Sequence, residues 1–233
     1  MTSYENDLIS ALPRVERLRL LDLCEPVKLE LAQVLAEAGQ TTRYAYFPTE
    51  SFIALMAQVD EQHGLEVGMA GREGMLGVHL ALGIAHDPLK ALVQGEGAAW
   101  RVGAAPFRRE LARSPALQAR LHKYLYALLE QRAVSAACLR FHEIGPRLSR
   151  WLLMSQDRAQ ADQFPVTQEF VAHMLGVRRV GVTAAAGALQ RQGLIRYHRG
   201  QLSVLDRIGL EATACSCYAS SERAYAQVMG LPA

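Results

Sequence analysis

Between residues 167 and 201 the chain carries five arginines, Arg178, Arg179, Arg191, Arg196 and Arg199, against a single acid, Glu169. Guanidinium groups hold phosphate oxygens and can grip guanine through two parallel hydrogen bonds, so such a cluster has the chemistry of a surface for polyanions. Arg178 and Arg179 stand just after Gly176, where a new helix has to begin. Cations there oppose the positive end of the helix dipole, typically by about 0.3–1 kcal/mol each. Local rules are broken in this way where function requires it. A second group with chemical potential is the thiols, Cys24, Cys138, Cys215 and Cys217. Cys215-Ser216-Cys217 lacks, in sequence, the second pair that a zinc or iron–sulfur site would show, so unligated reduced thiols are expected, with no metal and no cofactor. His63, His79, His86 and His173 are isolated, and no Ser/His/Asp or paired-carboxylate motif accompanies them. No enzyme is expected.

The arginines need a scaffold, and the flanking residues describe one. Thr167 is suited to cap a helix whose first turn holds Glu169 and whose apolar face is Phe170, Val171 and Leu175, ending at Gly176. A second helix starting near Arg178 turns Val182, Ala186 and Leu189 inward and stops at Gly193. Two helices joined by a tight turn with glycine are the sequence form of a helix-turn-helix. Thr183, Ala184, Ala185, Ala186 and Ala188 are small enough to let the second helix lie close in a groove, although alanine also favours helix for its own sake. Leu194 to Tyr197 and Leu202 to Leu205 read as a hairpin with Arg199 at its tip, a wing placed for a phosphate contact. Double-stranded DNA is the expected partner. Thr167, Gln168 and Arg199 are assigned to phosphates, and Arg178, Arg179 and Thr183 to the groove face.

Upstream, residues 116–144 contain neither glycine nor proline, and Leu117, Leu121, Tyr124 and Leu128 form a stripe at helical spacing. The stripe suits a coiled-coil seam, and the length favours a dimer helix; a core helix packed on its own roll is the competing reading. From Thr41 to about Val102 come short β-rich runs, Tyr44 to Phe47, Ser51 to Val59, Leu65 to Met69 and Ala98 to Val102, with turn residues every eight to twelve positions. They indicate an antiparallel roll. The first forty residues, including Val27 to Ala38, read as short helices, and Gly145-Pro146 as a boundary. The expected class is α+β: a sensor roll over 1–114, a dimerisation helix over 115–142 and a winged helix-turn-helix over 143–233.

Of the 233 residues half are hydrophobic, and 25 basic side chains face 23 acidic ones. That near-neutrality is a sum of unlike parts, since residues 1–142 hold 15 Lys and Arg against 16 Asp and Glu, and residues 143–233 hold 10 against 7. No run approaches the roughly 20 apolar residues of a membrane span, and Glu5, Asp7, Arg14, Glu16 and Arg17 break the apolar block a secretory signal needs. A cytoplasmic protein without membrane partners is the reading.

In this order, roll, long helix, then Thr167-Gln168-Glu169 through Arg199-Gly200, the chain resembles the cyclic AMP receptor protein/FNR family of bacterial transcription regulators. The resemblance is most specific from Gly176 to Leu194 and the wing. It implies a cyclic-nucleotide-binding-like roll, a dimer and a two-fold symmetric operator, and it sets the family's base-reading positions on Arg179, Val180 and Ala184. Gly71-Arg72-Glu73-Gly74-Met75-Leu76-Gly77 is similar to the family's phosphate-binding turn, yet Met75 stands where Glu is expected, and Pro88-Leu89 where Arg-Ser is expected. Cyclic AMP control is therefore not expected, and the identity of any small-molecule effector stays open. The alternative is a redox or metal sensor using Cys24, Cys138, Cys215 and Cys217.

Overall fold

A computed structural model describes residues 5–60 and 64–230; His63 lies outside them. Two short helices, α1 (Asp7–Ser10) and α2 (Arg14–Asp22), precede the strands β1 (Glu25–Leu29), β2 (Val34–Ala36), β3 (Tyr44–Pro48), β4 (Phe52–Gln58), β5 (Gly64–Ala70), β6 (Lys90–Gly95) and β7 (Gly97–Gly103). They form two antiparallel sheets, ordered β1-β7-β3 and β2-β6-β4-β5. Phe47, Phe52, Ile53, Leu55, Ala91 and Val93 are buried in the roll.

The helix expected over Val27 to Ala38 is instead β1, a left-handed turn at Ala32 (φ 63°) and β2. Pro26 has no N–H to give a helix, but on an edge strand opposite Trp100 that lack costs little. The strand β6, absent from the sequence reading, lies between β2 and β4 with Ala91 and Val93 buried.

Helix α3 (Ala104–Arg113) leads to α4 (Pro115–Phe141), 27 residues long and capped by Ser114, whose hydroxyl accepts the Leu117 N–H. Leu117, Leu121, Tyr124 and Leu128 are all buried within the single chain, packed with Phe47, Met75 and Phe107. Within the single chain these four belong to the core that α4 shares with its own roll. The face that α4 leaves open carries His122, Tyr126, Leu129, Ala133 and Ala136.

The chain turns at His142 and Glu143, ahead of Gly145-Pro146, into α5 (Ile144–Ala159). Pro146 falls in the first turn, where a missing N–H is harmless. Then come β8 (Gln163–Pro165), α6 (Gln168–Leu175), α7 (Arg179–Arg191), β9 (Ile195–His198), β10 (Gln201–Val204), α8 (Arg207–Thr213) and α9 (Cys217–Met229). Leu148, Leu152, Val171, Val182, Leu189 and Leu202 share one core, which extends to Met56 and Met69 of the roll. Helix α9 packs back on α4, placing Tyr225 and Met229 in the core of the N-terminal part. Among the described residues no helix is long and apolar enough to cross a membrane.

Candidate nucleic-acid interface

Helix α6 starts as its sequence requires: the Thr167 hydroxyl accepts the Phe170 N–H at 3.1 Å. It ends at Gly176, whose φ of +63° is a left-handed conformation that glycine adopts without a Cβ penalty. Helix α7 then turns Val182, Ala186 and Leu189 into the core. Gly181 serves the same packing, because a Cβ there would stand 2.7 Å from Ile144 Cδ1, so its absence lets α7 close on the start of α5.

The opposite side of α7 is open. Arg179, Val180, Thr183 and Ala184 are exposed along its first two turns, and Arg178 is its N-cap residue, with no side-chain capping bond. Val180 is 73% exposed, an apolar side chain standing in solvent at the tip of a helix flanked by cations. Arg179 has only a loose, exposed pairing with Glu169 at 3.9 Å. Gln168 at the start of α6 accepts a hydrogen bond from Thr183 at 2.7 Å, joining the two helices through their outer faces. Among the described residues the Gln168 amide N–H groups have no hydrogen-bond partner.

The wing is a three-stranded sheet ordered β8-β10-β9; the sequence reading had the hairpin but not β8. Arg199 and Gly200 connect the hairpin strands with φ of 47° and 78°, the pattern of a type I′ turn. A non-glycine residue held there costs roughly 1 kcal/mol or more, and the one spent here is an exposed arginine. Tyr197 ties the wing down, its hydroxyl donating to Val166 O at 2.6 Å and its N–H to Gln190 Oε1 at 2.9 Å. The structure thus brings Thr167, Gln168, Arg178, Arg179, Val180, Thr183 and Ala184 together on the exposed rim of α6 and α7, while Arg199 stands apart on the wing. Arg191 and Arg196 are also exposed, extending the basic surface beyond the assigned residues.

The glycine turn of the roll is filled from within. Glu73 accepts the Gly71 N–H at 3.2 Å and pairs with Arg158 of α5 at 2.8 Å. A Cβ at Gly74 would lie 2.2 Å from the Tyr124 hydroxyl, which accepts the Met75 N–H at 3.2 Å. Arg72 pairs with Asp7, and Asn6 donates to Gly74 O at 2.8 Å. Carboxylate, guanidinium and phenol of the chain itself pack around this turn.

A cavity of about 350 Å³ lies where roll, α4 and α5 meet, lined among others by Glu66, Arg132, Arg147, Arg150 and Trp151. Burial pushes the Glu66 carboxyl up to about 8, with the Trp151 indole N–H at 3.4 Å pulling the other way.

The thiols separate into two groups. Cys24 packs against the N-terminal core, and burial raises it to about 12, which makes it a poor nucleophile or ligand. Cys24 stands apart from the other three. Cys138, Cys215 and Cys217 converge, joined by His142, which sequence spacing could not pair with them. A hydrogen bond from Cys215 lowers the Cys138 thiol against the opposing effect of burial, helped by His142 and the charge of Arg150.

Residues 146–213 match the family model of the Crp-like helix-turn-helix domain. No curated protein sequence matches the chain. Among solved structures, a crp/fnr-family protein from Eubacterium rectale superposes with a TM-score of 0.70 over 90% of this chain and 98% of that one, at 14% identity. FixK2 from Bradyrhizobium japonicum gives 0.67 over 83% and 98%, at 11% identity. A CRP/FNR-family transcriptional regulator from Thermus thermophilus gives 0.65 over 82% and 99%, at 22% identity. The roll, the long helix and the helix-turn-helix are thus the fold that these structures share with this chain, and its 146–213 segment is similar to the Crp-like helix-turn-helix domain.

Proposed function

We propose that the chain binds a two-fold symmetric operator as a homodimer in the cytoplasm, without cyclic AMP. The observation that carries this reading is α7, whose buried face is complete while its outer face leaves Arg178 and Arg179 without a close structural partner. Arg179 reads a base edge, Val180 and Ala184 offer apolar contact to a thymine methyl, and Arg178, Thr167, Gln168 and Arg199 hold phosphates. The dimer forms through the open face of α4. His122, Tyr126, Leu129, Ala133 and Ala136 follow one another at intervals of four, three, four and three, the period of a coiled-coil seam.

The filled glycine turn supports independence from cyclic nucleotides. Footprinting of the full chain on its own promoter region tests the reading together with the oligomeric state. Two protected half-sites about 34 Å apart, one helical turn or a multiple of it, are expected from a dimer. Protection by a monomer, or none, would contradict it. Tyr126→Glu with Leu129→Glu is expected to yield monomers that lose operator binding and keep the fold, since both positions are exposed in the single chain.

A further inference from the structure

The hinge between the long helix and the DNA-binding domain is surrounded by ligands. Cys138 lies in the last turn of α4, and His142 is the residue that stops it. Cys215 stands in the link from α8 to α9 and Cys217 is the first residue of α9, and the Cys215 N–H donates to Pro146 O in the first turn of α5. The three Sγ atoms and one imidazole nitrogen all lie within 4.8 Å of one another. Cys138 Sγ is 3.5 Å from Cys215 Sγ, and Cys217 Sγ is 3.5 Å from His142 Nδ1.

We propose that Cys138, His142, Cys215 and Cys217 bind a single zinc-type divalent cation, which pins the end of α4 to the α8–α9 link and so fixes the hinge at Glu143. Ligands around one tetrahedral ion, at about 2.3 Å for sulfur and about 2.0 Å for nitrogen, stand roughly 3.5–3.8 Å from each other. The observed spacing therefore needs a contraction of about an ångström at most. An iron–sulfur cluster spreads its four ligands over at least two irons across a sulfide-bridged core, whereas these four ligand atoms all converge within 4.8 Å, as around one ion. Three sulfurs and one imidazole close the coordination shell, which makes the site structural, with no position for a reacting water.

Charge closes as well. Binding converts three thiols to thiolates and releases their protons, leaving a net charge of −1 on the complex. Arg147 and Arg150 both act electrostatically on the thiols, and among the described residues Arg150 Nε has no hydrogen-bond partner. The consequence for DNA rests on the regulator reading above, because the hinge sets where α7 stands relative to its symmetry mate. The coordination itself does not depend on that reading.

The test uses the full chain, reduced and stripped of metal, titrated with zinc alone and with cobalt(II) alone. One ion per chain is expected, with cobalt showing thiolate charge-transfer absorption and the visible bands of a tetrahedral site. Zinc should raise the thermal midpoint, and a chelator should lower it again. Cys215→Ser with Cys217→Ser should abolish binding, and Cys24→Ser should leave it unchanged. If the double variant fails to fold, the cobalt spectrum of the unaltered chain still reports whether thiolates bind. No uptake, octahedral cobalt without thiolate bands, binding that survives the double variant, or iron with acid-labile sulfide in anaerobically purified protein would each overturn the site. None of these measurements involves DNA, so they stand whatever the footprint shows. Where an operator is found, removing the ion is expected to weaken binding at least severalfold, and unchanged affinity would overturn the hinge coupling.

Discussion

Arg158 of α5 reaches the Glu73 carboxylate in the roll's glycine turn at 2.8 Å, so the helix-turn-helix domain supplies a cation to the N-terminal roll. The Arg158 side chain is 7% exposed and that of Glu73 23%. Removing the acid leaves a buried cation without its partner, whereas replacing both leaves none. Glu73→Gln is expected to cost on the order of 3 kcal/mol in urea unfolding, and Glu73→Gln with Arg158→Met to recover much of that loss. Additive losses would show that the pair does not couple the two domains.

Gly181 gives a prediction whose sign depends on its neighbour. Alanine at that position meets only Ile144 Cδ1, at 2.7 Å, the end of a half-buried side chain that has to turn aside, so Gly181→Ala alone should be close to neutral or slightly destabilising. In an Ile144→Val background the obstructing carbon is gone, and the same change should stabilise by up to about 1 kcal/mol through helix propensity. Thermal unfolding of the four chains of the cycle measures both signs.

Arg199 holds a left-handed position at the wing tip, and Arg199→Asn would create the Asn-Gly pair that a type I′ turn prefers. Stability should rise by roughly 0.5–1 kcal/mol. Operator affinity should fall for all sequences alike, and the slope of log affinity against log salt should shrink by about 1, as expected for one lost phosphate contact. A variant with unchanged salt dependence would remove the wing from the interface.

Glu66 makes stability depend on pH. Its folded-state value is raised from 4.5 to about 8, chiefly by burial. Between those values the folded chain keeps a proton that the unfolded chain has released, so this group's contribution is full below about 4.5 and is lost as pH rises through about 8. Glu66→Gln should flatten the decline in urea midpoint over that window. An identical profile in the variant would place the proton elsewhere.

The helix-turn-helix and its wing were legible because their signals are local. Thr167 caps, Gly176 and Gly193 terminate, and Val182, Ala186 and Leu189 repeat at helical spacing, all within a few residues of what they control. The strands β1 and β2 are only five and three residues long, too short for alternation to stand out against the helical spacing of Leu31, Val34 and Leu35. The stripe Leu117, Leu121, Tyr124, Leu128 is legible as apolar, and in the folded chain it packs against the chain's own roll. Periodicity shows that a face is buried and says nothing about what buries it. The cluster at the hinge was illegible for a related reason: Cys138 and Cys215 are 77 positions apart, and only the return of α9 onto α4 brings them together.

The central claim is that α7 reads DNA through its first turn. Fluorescence anisotropy of the full chain on a duplex from its own promoter region tests this most directly, comparing the unaltered chain with Arg178→Ala plus Arg179→Ala at fixed salt. Both side chains are exposed and cap nothing, so the variant should keep its fold. Affinity should drop at least tenfold, given about 1–3 kcal/mol for a base-reading arginine, and discrimination between operator and unrelated duplex should relax. Undiminished affinity and undiminished discrimination would contradict the account.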